Sequence, residues 1–213
     1  MQDAVTDLRV KEGETVIGYK VGCTGPGTTK LFDMQGPIRG TLFESEFHEC
    51  GVELRANNFY NLAIEAEMAI KIGKNGTIHS IFPVIELHNF VFRGPKKSLP
   101  ELIANNGLNR GVILSRENSQ KSAEVYRETS ILSLEINGSE IDSGALWPME
   151  GGPQSSLNWL ERHLYDHELK ITTGDIVLGG TALGLHQVQP GDRIDVKING
   201  QIVVQCTVAP SIN

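Results

Sequence analysis

Three glutamates lie in segments that otherwise consist mainly of apolar residues. Glu65 and Glu67 occur in IEAEMAI at 64–70, and Glu86 is the only acid in IFPVIELHNFVF at 81–92. Strand side chains alternate between faces, so Glu65 and Glu67 point the same way, with Cα atoms about 7 Å apart. Burying like charges together is costly unless something compensates for them. A divalent cation would do so, and an all-oxygen ligand set favours Mg²⁺ or Mn²⁺ over Ca²⁺.

The residues alone leave a second interpretation of these acids open. One glutamate would pair with a lysine, and the others would face solvent on an edge strand. For Glu65 and Glu67 taken alone, this interpretation is favoured. Glu86 weighs against it, because an unpaired charge is hard to bury in such an apolar setting.

Two basic side chains are candidates for the same chemistry. Lys20 lies in the glycine-bracketed segment GYKVG at 18–22. It either extends to the surface or reaches into a site, and its local sequence favours the surface. His88 follows Glu86 by two positions, which places both on one strand face. It is a candidate ligand or acid–base group, although a core histidine with satisfied hydrogen bonds is the favoured interpretation.

A glycine-rich segment, GGTALG at 179–184, contains the hydroxyl of Thr181. Its backbone N–H groups suit a carboxylate, but such segments are also ordinary turns between strands. It is not a phosphate-binding P-loop, since no Gly-Lys-Ser/Thr follows. The sequence has no G-x-S-x-G elbow and no cysteine in an activating context, which argues against nucleophilic catalysis.

The composition excludes several classes of function. The 213 residues carry a net charge of −7 without a basic run, so nucleic-acid binding has no electrostatic support. Three cysteines show no zinc-site spacing and are expected to be free thiols in a reducing, cytoplasmic setting. No apolar run reaches about 18 residues, so no membrane span is expected.

The pattern along the chain predicts a β-rich α+β fold. Strands are expected over 15–23, 62–72, 80–92 and 130–137, loops at 25–30 and 33–40, and short strands through the last third. A short helix is expected within 98–110 and the clearest helix within 152–171. Asn137-Gly138 and Asn199-Gly200 predict two-residue hairpins. We expect one catalytic domain over 1–213 that lacks an N-terminal helical region, since the first residues look like the end of a helix.

Several segments, in their order along the chain, resemble the fumarylacetoacetate hydrolase superfamily. The closer match is the branch of 2-keto-4-pentenoate hydratases and related 2-oxo acid decarboxylases. The segments are GYKVGCT at 18–24, PIRGTLF at 37–43, IEAEMAI at 64–70, PVIELHN at 83–89, IANN at 103–106, NWLERHL at 158–164 and TTGDIVLGGTALGLHQVQPGDRIDV at 172–196. The resemblance implies a mixed β sandwich or roll around a metal site.

The same resemblance implies a role for each candidate residue. Glu65, Glu67 and Glu86 look like the three carboxylate ligands of Mg²⁺ or Mn²⁺. Lys20 resembles the active-site lysine of the family, and Thr181 resembles the residue that helps to bind the substrate carboxylate. The implied activity is that of a lyase, a hydratase of a small 2-oxo or 2-hydroxydienoic acid in aromatic catabolism. A homo-oligomer, at least a dimer, is also implied.

Departures from the family pattern keep other activities open. Ile38 and Arg39 lie between Pro37 and Gly40, where hydratases of the branch carry an acid. The family stretch Ala-Asp-Asn-Ala-Ser appears as Ala-Asn-Asn-Gly-Leu at 104–108, and so loses its Asp and Ser. The alternatives are therefore a 2-oxo acid decarboxylase, an acylpyruvate hydrolase using the same metal site, or a catalytically silent subunit. The connection between Lys71 and Ser80 is also shorter than in the family.

Overall fold

The computed structural model describes residues 1–25, 30, 33–34, 36–92, 94, 98–117, 121, 126 and 129–210. Lys96 and Lys97, and most of the loop expected at 25–30, lie outside this part. Among the described residues the helices longer than one turn are α1 (Gln2–Lys11), α2 (Leu99–Ala104) and α3 (Pro153–Tyr165). The strands are β1 (Val16–Gly22), β2 (Ile38–Phe43), β3 (Phe47–His48), β4 (Glu53–Leu54), β5 (Leu62–Ile72), β6 (Ile78–Asn89), β7 (Asn109–Leu114), β8 (Ile131–Ile136), β9 (Ser139–Ala145), β10 (Ile176–Leu178), β11 (His186–Gln187), β12 (Arg193–Ile198) and β13 (Gln201–Val208).

The larger sheet is mixed and has β5 and β6 at its centre. Its strand order is β2-β1-β10-β5-β6-β7-β3, with β11 added to β5. The long antiparallel pair of β5 and β6 places Glu65 directly opposite Glu86. β1 joins through a parallel pairing with β10, in which Lys20 lies opposite Leu178. This register places the three acids on the adjacent strands β5 and β6, and Lys20 on β1, which β10 separates from β5.

The smaller sheet packs on one face of the larger sheet. Its order is β4-β13-β12-β8-β9. Ile64, Ala66 and Met68 of β5 meet apolar residues of β8 and β12, such as Leu134 and Val196. The same face continues beneath α3, whose leucines pack against Ile70 and Ile72 (Leu157, Leu160 and Leu164). These layers confirm the predicted β-rich α+β sandwich.

The opposite face of β5 carries the glutamates and lines the inside of a curled sheet. Leu42 of β2 and Val112 of β7 belong to one apolar cluster, although the strands lie far apart in the sheet order. The larger sheet must therefore curl to bring them together. Ala69 of β5 and Leu178 of β10 belong to the same apolar cluster inside the roll. The alternation of β5 thus separates an apolar face in the sandwich core from an acidic face inside the roll.

Most predicted elements are confirmed, with differences where strands are short. Asn137 and Gly138 have φ of 53° and 80°, as a type I′ hairpin requires. The loop expected over 33–40 instead leads into β2, whose first residues pair with the end of β1. Strands β3, β4, β7 and β11 were not predicted; β3, β4 and β11 have only two residues each. No described helix has the length and apolar character needed to cross a membrane.

Candidate active site

The three glutamates line a small cavity inside the roll. The cavity has a volume of about 90 Å³, and its wall includes Glu65, Glu67, Glu86 and Thr181. Glu86 and Glu67 are buried, with exposed fractions of 0% and 1%, whereas Glu65 is half-buried. The second interpretation is therefore wrong for Glu67, which lies in a central strand without contact with solvent. Its pairing of one glutamate with a lysine is confirmed for Glu86, although that pair is buried in the central strands and not at an edge.

Lys20 lies inside the protein, so its expected placement at the surface is wrong. Its Nζ donates to Glu86 Oε1 at 2.5 Å, and Asn109 Nδ2 donates to the same oxygen at 2.7 Å. Burial lowers the pKa of Lys20, but the charges of Glu86, Glu65 and Glu67 more than offset this, so the pKa rises. Burial raises the pKa of Glu86, but His88 and Lys20 bring it below its usual value. The side chain of Lys20 is therefore a fixed positive charge beside the acids.

Glu67 is stabilised by a backbone donor from the glycine-rich segment. Its Oε1 accepts a hydrogen bond from Gly180 N–H at 2.5 Å. Burial and the nearby charge of Glu86 raise the pKa of Glu67 well above its ordinary value, although Lys20 partly opposes them. Ionised Glu67 thus needs more positive charge than the described side chains supply.

His88 contacts two of the carboxylates through one ring nitrogen. Its Nε2 lies 3.1 Å from Glu65 Oε2 and 3.3 Å from Glu86 Oε2. Its Nδ1 is buried without a hydrogen-bond partner among the described residues. Burial lowers the pKa of His88, but the acids raise it to about 9 overall. His88 is therefore part of the site, and the favoured interpretation as a satisfied core histidine is wrong.

Thr181 positions the loop that closes one side of the cavity. Its hydroxyl donates to Ala66 O at 2.6 Å and accepts from Leu183 N–H at 3.0 Å. Gly180 next to it has a φ of +86°, and a Cβ there would lie 2.6 Å from the side chain of Thr24. Gly179 and Gly180 thus allow the chain to pack closely against Trp147 and Thr24, and the Thr181 hydroxyl joins the segment to β5.

The donor set fits a divalent cation. Ligand atoms of Glu65, Glu86 and His88 all lie within 4.8 Å of one another. Glu86 Oε2 is buried and accepts no hydrogen bond within the described part of the chain, although His88 Nε2 lies 3.3 Å from it. A buried carboxylate oxygen without a partner is costly, and a cation is the ligand that would satisfy it. Glu67 faces the same cavity but is not in this group of close donors.

Sequence reasoning missed Asn109 and gave too little weight to His88. Asn109 holds Glu86 from β7, a strand that was not predicted, and no local signal indicated this role. For His88 a signal existed, because its spacing of two from Glu86 already placed both on the same strand face. The long-range pair of Lys20 and Glu86, 66 residues apart, depends on strand order and not on local sequence.

Comparisons with known proteins find several related enzymes, although no family model matches the chain. The chain is 25% identical to 2-oxo-hept-4-ene-1,7-dioate hydratase of Escherichia coli, over 93% of this chain and 81% of that protein. It is 24% identical to 2-hydroxyhexa-2,4-dienoate hydratase of Comamonas testosteroni, over 91% of this chain and 78% of that protein.

Solved structures share the fold. A 4-oxalocrotonate decarboxylase of Pseudomonas putida G7, complexed with magnesium and adipate, has a TM-score of 0.88 at 23% identity, covering 97% of this chain and 83% of that chain. A fumarylpyruvate hydrolase of Pseudomonas aeruginosa, in complex with Mn²⁺ and pyruvate, has a TM-score of 0.69 at 14% identity, covering 91% and 89%. This chain is a homologue of these hydratases and shares its fold with the decarboxylase and the hydrolase, in agreement with the resemblance drawn from its sequence.

Proposed function

We propose that the chain is a divalent-metal-dependent hydratase. Its substrate class would be a small 2-oxo or 2-hydroxydienoic acid, such as 2-keto-4-pentenoate, formed in the breakdown of aromatic compounds. The observation that carries the proposal is the convergence of Glu65, Glu67 and Glu86 on one small cavity, with Lys20 buried against them. The hydratases of Escherichia coli and Comamonas testosteroni named above support the reaction class.

In this proposal Glu65, Glu67 and Glu86 hold Mg²⁺ or Mn²⁺. The Oε2 of Glu86, which accepts no hydrogen bond from the described residues, and the three carboxylates in the cavity wall support this ligand set. When bound, the cation would act as a Lewis acid toward negative charge that develops on the C2 oxygen of a 2-oxo acid. Asn109 and Lys20 fix one oxygen of Glu86, which leaves the other free to face the ion.

Lys20 and the glycine-rich loop would act on the substrate. The ammonium group of Lys20 places positive charge beside the cavity and favours charge developing on a reacting oxygen. Thr181 anchors the loop at 179–184, and we propose that this loop, with Thr181, helps to bind the substrate carboxylate. The contact from the Thr181 hydroxyl to Ala66 O keeps the loop against the acids.

A decarboxylase is the second candidate, favoured by a specific observation. Asn105 and Leu108 replace the Asp and Ser of the family stretch, which weakens the case for water activation. Loss of CO₂ would produce the same kind of enolate without that activation. Product identity separates the two reactions, because a decarboxylase releases CO₂ whereas a hydratase adds water to the chain of the substrate.

The experiment that tests the proposal is calorimetric titration with oxalate, with and without Mg²⁺. Oxalate resembles the chelating end of an enolate and assumes nothing about the later reaction. Binding that requires Mg²⁺ would support the metal site and lead to a screen of 2-oxo acids. No binding in either condition would overturn the metal-dependent enzyme and favour a silent subunit. We also propose a homo-oligomer, which light scattering during size exclusion would test.

A further inference from the structure

The register of β6 places His88 on the inner face of the roll. Alternate residues of β6 face the inside of the roll, and these are Phe82, Val84, Glu86 and His88. The side chain of His88 is only 4% exposed. Within the described chain, its ring makes its polar contacts through Nε2, while Nδ1 has no hydrogen-bond partner. Nε2 is therefore the ring nitrogen that faces the two carboxylates.

The distances around Nε2 match the spacing of neighbouring ligands on one ion. Two ligands bound at right angles, each about 2.1 Å from an octahedral cation, lie about 3 Å apart. His88 Nε2 lies 3.1 Å from Glu65 Oε2 and 3.3 Å from Glu86 Oε2. Ligand atoms of the three residues all lie within 4.8 Å of one another, and one of these atoms is nitrogen.

We propose that His88 Nε2 is a nitrogen ligand of the active-site cation and makes the site prefer Mn²⁺ to Mg²⁺. The inference rests on the proposed metal site and extends it beyond the carboxylate set of Glu65, Glu67 and Glu86. Imidazole nitrogen suits transition ions, whereas Mg²⁺ is held by oxygen ligands and water. A site that includes His88 therefore gains more affinity for Mn²⁺ than for Mg²⁺.

The competing account is that His88 is only a positive counter-charge to the acids. In that case Nε2 carries a proton, donates it to Glu65, and has no lone pair for a metal. A proton on Nε2 and a metal bond from Nε2 are mutually exclusive. Direct detection of nitrogen bound to the ion therefore decides between the two accounts.

The test loads untagged, metal-stripped protein with Mn²⁺ alone and records electron spin echo envelope modulation. We expect ¹⁴N coupling from a directly bound imidazole in the wild-type protein. In protein labelled with ¹⁵N only at histidine, this coupling should change to that of ¹⁵N, which excludes Lys20 as its source. This measurement needs no variant and so does not depend on whether a substituted chain folds.

Two variants assign the signal and test the preference. His88→Gln should keep Mn²⁺ binding, lose the nitrogen coupling, and lower the ratio of Mn²⁺ to Mg²⁺ affinity by about tenfold or more. His79→Gln is the matched control, because His79 lies on the same strand but is exposed. It should leave both readouts unchanged.

Each outcome bears on the inference in a defined way. Mn²⁺ binding without histidine coupling in the wild-type protein overturns the His88 ligand but leaves the carboxylate site and the proposed function intact. Coupling that persists in His88→Gln also overturns it. Absence of Mn²⁺ binding to the wild-type protein overturns both this inference and the proposed function. Histidine coupling that disappears only in His88→Gln supports it.

Discussion

At the scale of single residues, the buried Lys20–Glu86 pair is expected to couple strongly. Lys20→Met leaves Glu86 with a buried charge and should lower the free energy of unfolding by about 3–5 kcal/mol. Glu86→Gln in the same chain should recover part of this loss, because the uncompensated charge is removed. Urea unfolding of the single and double variants gives the coupling energy, which we expect to be about 2–3 kcal/mol.

The pair of Lys197 and Glu135 supplies the matched control for that cycle. Both side chains are about one-fifth exposed and join neighbouring strands of the smaller sheet. Solvent screens such pairs, so their coupling should be no more than about 1 kcal/mol. Equal coupling energies for the two pairs would show that burial adds nothing to the interaction of Lys20 with Glu86.

Glu67→Gln separates catalytic need from stability at one position. Glutamine keeps the shape of the side chain and still accepts a hydrogen bond from Gly180 N–H. It removes the negative charge of Glu67, which is costly because burial and the nearby charge of Glu86 raise the pKa of this carboxyl group. We expect turnover to fall by about 100-fold or more, with a melting temperature that is unchanged or higher. Glu140→Gln, on an exposed position of β9, is the control. Full activity in Glu67→Gln would contradict the proposed role of this acid.

Predictions for single residues succeeded where neighbours in the sequence determine the environment of a side chain. They failed where its partner lies far away in the sequence. The apolar surroundings of Glu86 already indicated a buried acid. The local segment around Lys20 favoured a position at the surface. This prediction failed because the partner of Lys20, Glu86, lies on β6, and only the sheet order β1-β10-β5-β6 brings the two residues together. His88 was placed on the correct face, but the sequence carries no information on its distance to Glu65.

At the scale of elements, β1 depends on close backbone packing at Gly18. Gly18 has a φ of +150°, and a Cβ there would lie 1.9 Å from Ile176 O in the parallel partner β10. Gly18→Ala should therefore lower the free energy of unfolding by about 3 kcal/mol or more. Gly174→Ala is the control, since Gly174 also has a positive φ but a Cβ there would meet no atom within 4 Å, and it should cost about 1–2 kcal/mol. Equal losses measured by urea unfolding would contradict the packing argument.

Sequence patterns identified the long elements because their signals repeat. β5 and β6 have 11 and 12 residues, and the leucines of α3 recur at helical spacing. By contrast, β3, β4 and β11 have two residues each, too few for an alternating pattern. β2 was obscured because Pro37 and Gly40 are turn-type residues. Here Gly40 is required because a Cβ would lie 2.6 Å from Lys20 Cγ.

At the scale of the whole molecule, one polar contact joins the two sheets beside the active-site loop. Asp142 belongs to β9 of the smaller sheet, and His186 belongs to β11, which pairs with β5 of the larger one. His186 Nε2 lies 2.9 Å from Asp142 Oδ2, and Gly184 N–H donates to the same oxygen at 2.8 Å. The loop that carries Thr181 is therefore tied to both sheets.

This contact predicts how stability depends on pH. Burial would raise the pKa of Asp142, but the hydrogen bonds from Gly184 and His186 lower it overall. A lowered folded-state pKa means that the carboxylate stabilises the fold above the usual aspartate pKa of about 3.9, and that this contribution is lost as pH falls through the folded-state value. Asp142→Asn should therefore cost about 1 kcal/mol at pH 7 by urea unfolding, and the cost should shrink towards pH 3. Exposed Asp7→Asn should show no such trend, and a cost for Asp142→Asn that stays constant with pH would contradict the assignment.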